Sequence, residues 1–203
     1  MSKGKIITSS DFKNMPRWFH LLNRIWGTGR HIGINPSLNK DDMIQAARKQ
    51  TGFEDLGRDF WDEPLDRLIH SLNHEARLHP IGKFISRKRI INLLAVRLRA
   101  EHWFKKYPGI LQQELHPPLV IVGLQRTGTT KLHRLLTADP HNRVLRSWEA
   151  LNPVPLGLNG ARIDKRVHIA RTSERALRWM APGFFAIHPV EYSAPEEDIF
   201  CLL

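Results

Sequence analysis

The chain has 203 residues, 41% of them hydrophobic and 25% charged, with 13 Gly and 13 Pro. This composition excludes collagen-like, low-complexity and wholly disordered chains, and the length suits one medium domain or a domain with an appendage. Lys and Arg number 31 against 20 Asp and Glu, a net +11 that points to an anionic partner, and the lone Cys201 excludes an internal disulfide framework or a cysteine-rich zinc site.

No run reaches the ~18–20 apolar residues of a membrane span, and residues 1–12 lack the apolar stretch of a secretory signal. A soluble protein of the reducing cytoplasm is the expectation. Residues 1–15 read as a loose leader. In residues 16–26 (PRWFHLLNRIW), Trp18, Leu21, Leu22 and Ile25 recur at helical spacing, and Gly27 and Gly29 break the pattern. Asn39 or Asp41 can cap a short helix to about Gln50, stopped by Gly52. Asp62 precedes a helix with Leu65, Leu68, Ile69, Leu72 and Ala76 on one stripe, closed by His79 and Pro80. The longest helix is predicted over residues 86–106, with Ile90, Ile91, Leu94 and Leu98 inward. Residues 83–106 hold eight basic side chains (Lys83, Arg87, Lys88, Arg89, Arg97, Arg99, Lys105 and Lys106) against one acid, Glu101, so the charge excess is local. Its plain meaning is a solvated polar face, and its sharper one a surface that steers an acidic glycan, membrane or nucleotide. Residues 16–115 thus read as an all-helical N-terminal section.

The pattern changes at residue 116. Residues 119–123 (LVIVG) form a short apolar run rich in β-branched residues, as expected of a parallel strand buried on both faces. A glycine-bearing turn follows, then a helix over residues 129–138 with Leu132, Leu135 and Leu136 in register. Residues 143–146 (RVLR) suit a second strand, residues 162–180 a further helix, and Glu196, Glu197 and Asp198 a helix start.

Residues 119–136 (LVIVGLQRTGTTKLHRLL) therefore read as strand, turn and helix, an arrangement that cradles anions. Amides of the first helical turn lack intrahelical partners, and the helix dipole adds positive potential to them. Gly128 lets a bulky anion approach the backbone, Thr129 and Thr130 offer hydroxyls, and Arg126 brings a permanent charge. Gly123 and Gly128 keep the glycine spacing of a nucleotide-hydrolase phosphate loop. Thr129, however, stands where those enzymes keep Lys, and Lys131 comes two positions late. A magnesium-dependent kinase or nucleotide hydrolase using Lys131 is one alternative. A non-catalytic basic protein binding acidic membrane or nucleic acid through residues 83–106 is another.

At Arg126, Thr127, Gly128, Thr129 and Thr130 the sequence resembles the sulfotransferase superfamily, whose [K/R]-[S/T]-G-T-[T/S] loop binds the 5′-phosphosulfate of 3′-phosphoadenosine-5′-phosphosulfate. Residues 132–140 (LHRLLTADP), the helical leader, the Trp148–Glu149 pair and residues 195–198 are similar to its bacterial branch. The resemblance implies an α/β fold: a P-loop-like parallel sheet flanked by helices, only partly present in residues 116–203. It implies sulfuryl transfer to an acceptor hydroxyl or amine without a metal, the acceptor a small molecule, lipid or glycan rather than nucleic acid. Arg126 and the loop would stabilise the leaving phosphate, with Thr127, Gly128, Thr129 and Thr130 holding the donor. Glu149 is the candidate base, and a helix-start carboxylate is its plain alternative. His133 is the rival base and His188 a further candidate. A site for the donor's 3′-phosphate finds no match, since Arg171, Thr172 and Ser173 fall within a predicted helix. Two strands fall short of the family's sheet, and the apolar pattern of residues 199–203 runs to the last residue. The chain is therefore expected to be the N-terminal part of a longer protein.

Overall fold

The computed structural model describes residues 21, 38–58, 60–124, 127–156, 164–181, 184–187 and 190–197. The leader, Arg126, His188, Asp198 and residues 199–203 lie outside the described residues, and of the helix expected over residues 16–26 only Leu21 is described, helical and exposed. The chain divides into two units, Met1–Lys106 and Tyr107–Leu203.

The first unit is helical among its described residues. Helix α1 spans Lys40–Thr51. The Asn39 side chain accepts from the Asp42 N–H at 3.1 Å, and the Gly52 N–H closes the far end on the Arg48 carbonyl. Asp41 and Asp42 in the first turn, with Arg48 and Lys49 in the last, oppose the helix dipole as sequence capping rules expect. Helix α2 spans Asp62–His74, stopping short of the expected end at His79. Lys40 ties it to α1 through Asp62 at 2.7 Å and Asp66 at 2.8 Å.

Helix α3 spans Pro80–Lys106, a start six residues earlier than residue 86. Pro80 opens the helix rather than ending its predecessor, because proline's missing N–H costs nothing in a first turn and its fixed φ is already helical. Met43 and Ala47 of α1, Leu65 and Ile69 of α2, and Ile90, Ile91, Leu94, Ala95 and Leu98 of α3 are buried together with Leu38 and Leu56. The basic side chains of α3 are only partly outward. Arg97 donates from Nε to the Leu56 carbonyl and lies over the Trp61 ring, Lys105 pairs with Asp55, and burial lowers the pKa of Arg89 and Arg99. Among the described residues no helix is long and apolar enough to cross a membrane.

In the second unit a 3-10 helix over Pro108–Gln112 precedes residues 113–124, which form neither helix nor strand. The strand expected over residues 119–123 therefore does not form. A parallel strand needs neighbours on its hydrogen-bonding edges, and none of the described residues pairs with this run. Leu119, Val120 and Val122 stay in solvent, Val122 at 88% exposure, and Ile121 is half-buried. The parallel sheet is thus not seen among the described residues.

Helix α4 spans Thr129–Leu136, α5 Ser147–Leu151, α6 Lys165–Met180 and α7 Phe184–Ile187. Asp164 caps α6 by accepting from the Arg166 N–H at 2.9 Å, which moves the start from the expected residue 162 to Lys165. The strand expected over residues 143–146 reduces to one antiparallel bridge between Arg146 and Pro195. It is extended by bonds from Ser147 N–H to the Ala194 carbonyl, from Trp148 N–H to that of Tyr192, and from Glu196 N–H to that of Leu145. Glu196 and Glu197 are not themselves helical, and the rest of the helix expected to start there lies outside the described residues. Helix α5 packs against α6, with Ser147, Ala150 and Ala170 buried.

Candidate functional site

The loop before α4 closes on itself. The Leu124 carbonyl accepts from the Thr127 N–H at 3.3 Å and from the Thr127 hydroxyl at 2.6 Å. Gly128 then takes the left-handed conformation, φ 92° and ψ 12°, which a side chain disfavours. A Cβ there would meet nothing within 4 Å, so this side of the turn is open. Gly123 is the opposite case. A Cβ on it would come within 2.7 Å of the Thr129 methyl and 3.0 Å of the Thr127 hydroxyl oxygen, so the curl needs glycine.

Gly128 has no side chain to cap α4, and the helix starts with no side-chain cap bond. Its first amides are therefore available to an external acceptor. Thr127 and Thr130 are exposed and Thr129 is half-buried. The structure thus brings Gly123, Thr127, Gly128 and Thr129 into one curl with an open face, while Arg126 lies outside the described residues. Lys131 is exposed and His133 half-buried on α4. Arg171, Thr172 and Ser173 lie in α6 and are exposed.

Glu149 occupies the third position of α5 and its side chain is 15% exposed. Oε2 accepts from the Arg146 N–H at 3.0 Å and from Arg143 Nη1 at 3.2 Å, while Oε1 accepts from Arg143 Nη2 at 2.7 Å. Burial opposes the charge, but Arg143, the Arg146 N–H and the nearby charge of Arg166 outweigh it, so the carboxyl titrates below the ordinary glutamate range. Among the described residues no hydrogen bond or ion pair joins Glu149 to the loop.

Three arginines of this region were not singled out by the sequence pattern. Arg143 and Arg146 read as ends of a strand, and Arg166 as one of many basic helix residues. No group of three or more His, Cys, Asp or Glu among the described residues is placed to hold a metal ion.

Residues 117–202 match the Sulfotransferase family. Two solved bacterial sulfotransferases are similar in structure as well. STF1 from Mycobacterium tuberculosis H37Rv is 28% identical with a TM-score of 0.59, over 81% of this chain and 46% of its own. STF9 from Mycobacterium avium is 26% identical with a TM-score of 0.66, over 82% of this chain and 43% of its own.

Over residues 117–202 the chain is similar to the sulfotransferases.

It spans less than half the length of either mycobacterial enzyme. No curated protein matches it. The sulfotransferase match takes in the whole curl from Gly123 to Thr130, the Arg143–Glu149 pair and α6, so every described candidate residue of the site falls within it.

Proposed function

We propose that this chain is part of a sulfotransferase, binds 3′-phosphoadenosine-5′-phosphosulfate at the curl before α4 and takes part in moving its sulfuryl group to an acceptor hydroxyl or amine. One observation carries this reading: Gly123 is pressed against Thr127 and Thr129 while Gly128 faces open space ahead of an uncapped helix. This shape offers backbone amides and hydroxyls to a tetrahedral oxyanion such as a phosphosulfate.

In the transfer, the acceptor oxygen or nitrogen attacks sulfur and the bond from sulfur to the bridging phosphate oxygen breaks. Adenosine 3′,5′-bisphosphate leaves, and the acceptor's proton passes to a base. Charge grows on the bridging oxygen, which Arg126, the loop amides, Thr129 and Thr130 would stabilise. Losing one such preorganised donor typically costs ~10²–10³ in rate. Glu149 is the base in this reading, being charged at neutral pH and partly sheltered. The acceptor is a small molecule, a lipid or a glycan.

Calorimetric titration with adenosine 3′,5′-bisphosphate tests the reading. Binding without magnesium is expected, weakened about tenfold or more, some 1.4 kcal/mol, by Arg126→Ala and by Thr129→Ala. Equal affinity in both variants and the native chain removes the loop from donor binding.

A further inference from the structure

The surroundings of Glu149 are unusually complete for a carboxylate that is to accept a proton. An ionised carboxylate has about four lone-pair positions. Arg143 Nη1 and the Arg146 N–H fill both on Oε2, and Arg143 Nη2 fills one on Oε1. Among the described residues nothing fills the remaining position, on Oε1.

The two holds differ in kind. The Arg146 N–H is fixed by backbone: Arg146 bridges Pro195, and its side chain donates to the Ser193 carbonyl at 3.1 Å. Arg143 is a side-chain hold, 76% exposed while Glu149 is 15% exposed. Its Nη1 also donates to the Val144 carbonyl, which orients the fork from its own strand of chain. From α6, Arg166 adds a third positive charge, but its nitrogens are spent on Asp164 and on the carbonyls of Asn152 and Pro153. Among the described residues Arg143 is therefore the one charged side chain in direct contact with the carboxylate.

We propose that Arg143 is a positioning residue for the base: its fork and the Arg146 N–H close Oε2 and leave a single open position on Oε1, where the acceptor's proton arrives. This rests on Glu149 being the base. The consequence is geometric and electrostatic together. Without Arg143 the carboxylate keeps one backbone contact, can turn about its last bond, and loses the opposite charge that favours its ionised form. Arg143→Lys keeps the charge and loses the fork; Arg143→Gln keeps donors and loses the charge.

Carbon-13 NMR of the labelled chain, with the Glu149 carboxyl signal assigned by its loss in Glu149→Gln, tests the hold directly. The midpoint of native Glu149 is expected below the ordinary glutamate range. It is expected to rise in Arg143→Ala and nearly as far in Arg143→Gln, and to return part of the way in Arg143→Lys. A midpoint unmoved in both Arg143→Ala and Arg143→Gln overturns the role of Arg143. The base reading fails in a different measurement: sulfuryl transfer at the native rate in Glu149→Gln overturns it, and with it the arrival of the proton at Oε1.

Discussion

The guanidinium carbon of Arg166 lies 4.7 Å from the centroid of the Trp148 ring, joining the start of α6 to α5. The same guanidinium forks onto Asp164, which caps its own helix, and reaches the Asn152 and Pro153 carbonyls just past α5. One side chain thus fixes three things: the cap of α6, the end of α5 and the ring beside Glu149. Only 13% of it is exposed, so these contacts work in a medium where hydrogen bonds to a charge count for more than in water.

Arg166→Lys is therefore expected to destabilise the second unit by about 2–3 kcal/mol. Lysine retains the charge but can neither fork onto Asp164 nor stack flat on Trp148. Amide hydrogen exchange should quicken at the Ser147 and Trp148 N–H groups, whose bonds to Ala194 and Tyr192 depend on α5 keeping its place. Unchanged protection there would show that the antiparallel clasp alone holds α5.

Gly123→Ala should cost donor binding more than stability. Its Cβ must displace the Thr129 methyl and the Thr127 hydroxyl, both parts of the proposed cradle, whereas the loop itself is exposed and packs little. Affinity for adenosine 3′,5′-bisphosphate is expected to fall about tenfold or more with a thermal midpoint within a few degrees of native, read by calorimetry and circular dichroism. Native affinity in this variant would mean that the curl opens when it binds.

The helix of this region could be read from residue order, because its physics is local. The helix expected after the glycine-bearing turn, over residues 129–138, forms at Thr129–Leu136. Asn39 and Gly52 bound α1 for equally local reasons. What the order of residues hid is non-local. Whether residues 119–123 become a strand depends on partners elsewhere, and the apolar run alone does not supply them. The hold on Glu149 needs Arg143 six positions earlier and a backbone pinned by Pro195, a pairing that hydrophobic periodicity does not encode. Pro80 misled because a proline between two helical patterns can end one helix or begin the next.

Residues 119–124 expose Leu119, Val120, Val122 and Leu124 at 69–88%, a consecutive apolar stretch of the kind that marks association or binding surfaces. Val122→Lys is expected to change folding stability by less than about 0.5 kcal/mol, to reduce binding of the dye 1-anilinonaphthalene-8-sulfonate and to raise solubility. A large loss of stability would instead show that Val122 is packed in solution.

Leu98→Ala probes the first unit independently of the site. Leu98 has no exposed surface and sits among Ile90, Ile91, Leu94 and Ala95 of α3 and the apolar faces of α1 and α2. Truncation leaves a cavity in a small helical core, at an expected cost of about 2–5 kcal/mol. Urea unfolding followed by helical circular dichroism should show the loss. A cost below about 1 kcal/mol would mean that the helices close over the gap.

Glu174 links α6 to the segment that clasps α5, and it should make this unit sensitive to acid. Oε2 accepts from the Tyr192 N–H and Oε1 from Arg178, each at 2.9 Å. Burial works against its charge, yet these two donors prevail and hold the carboxyl below the ordinary glutamate range. A carboxyl whose pKa is lower folded than unfolded adds stability in full above the unfolded value, near 4.3, and loses it as pH falls through the folded value. Glu174→Gln should therefore be less stable than native at pH 7, by about 1.5 kcal/mol for hydrogen bonds that have lost their charge. The gap should close as pH falls below about 4.3, because the native side chain then becomes neutral as well. Thermal unfolding from pH 7 to pH 3 measures it. A gap of constant size would show that Glu174 acts through shape alone, since glutamine copies its shape but not its titration.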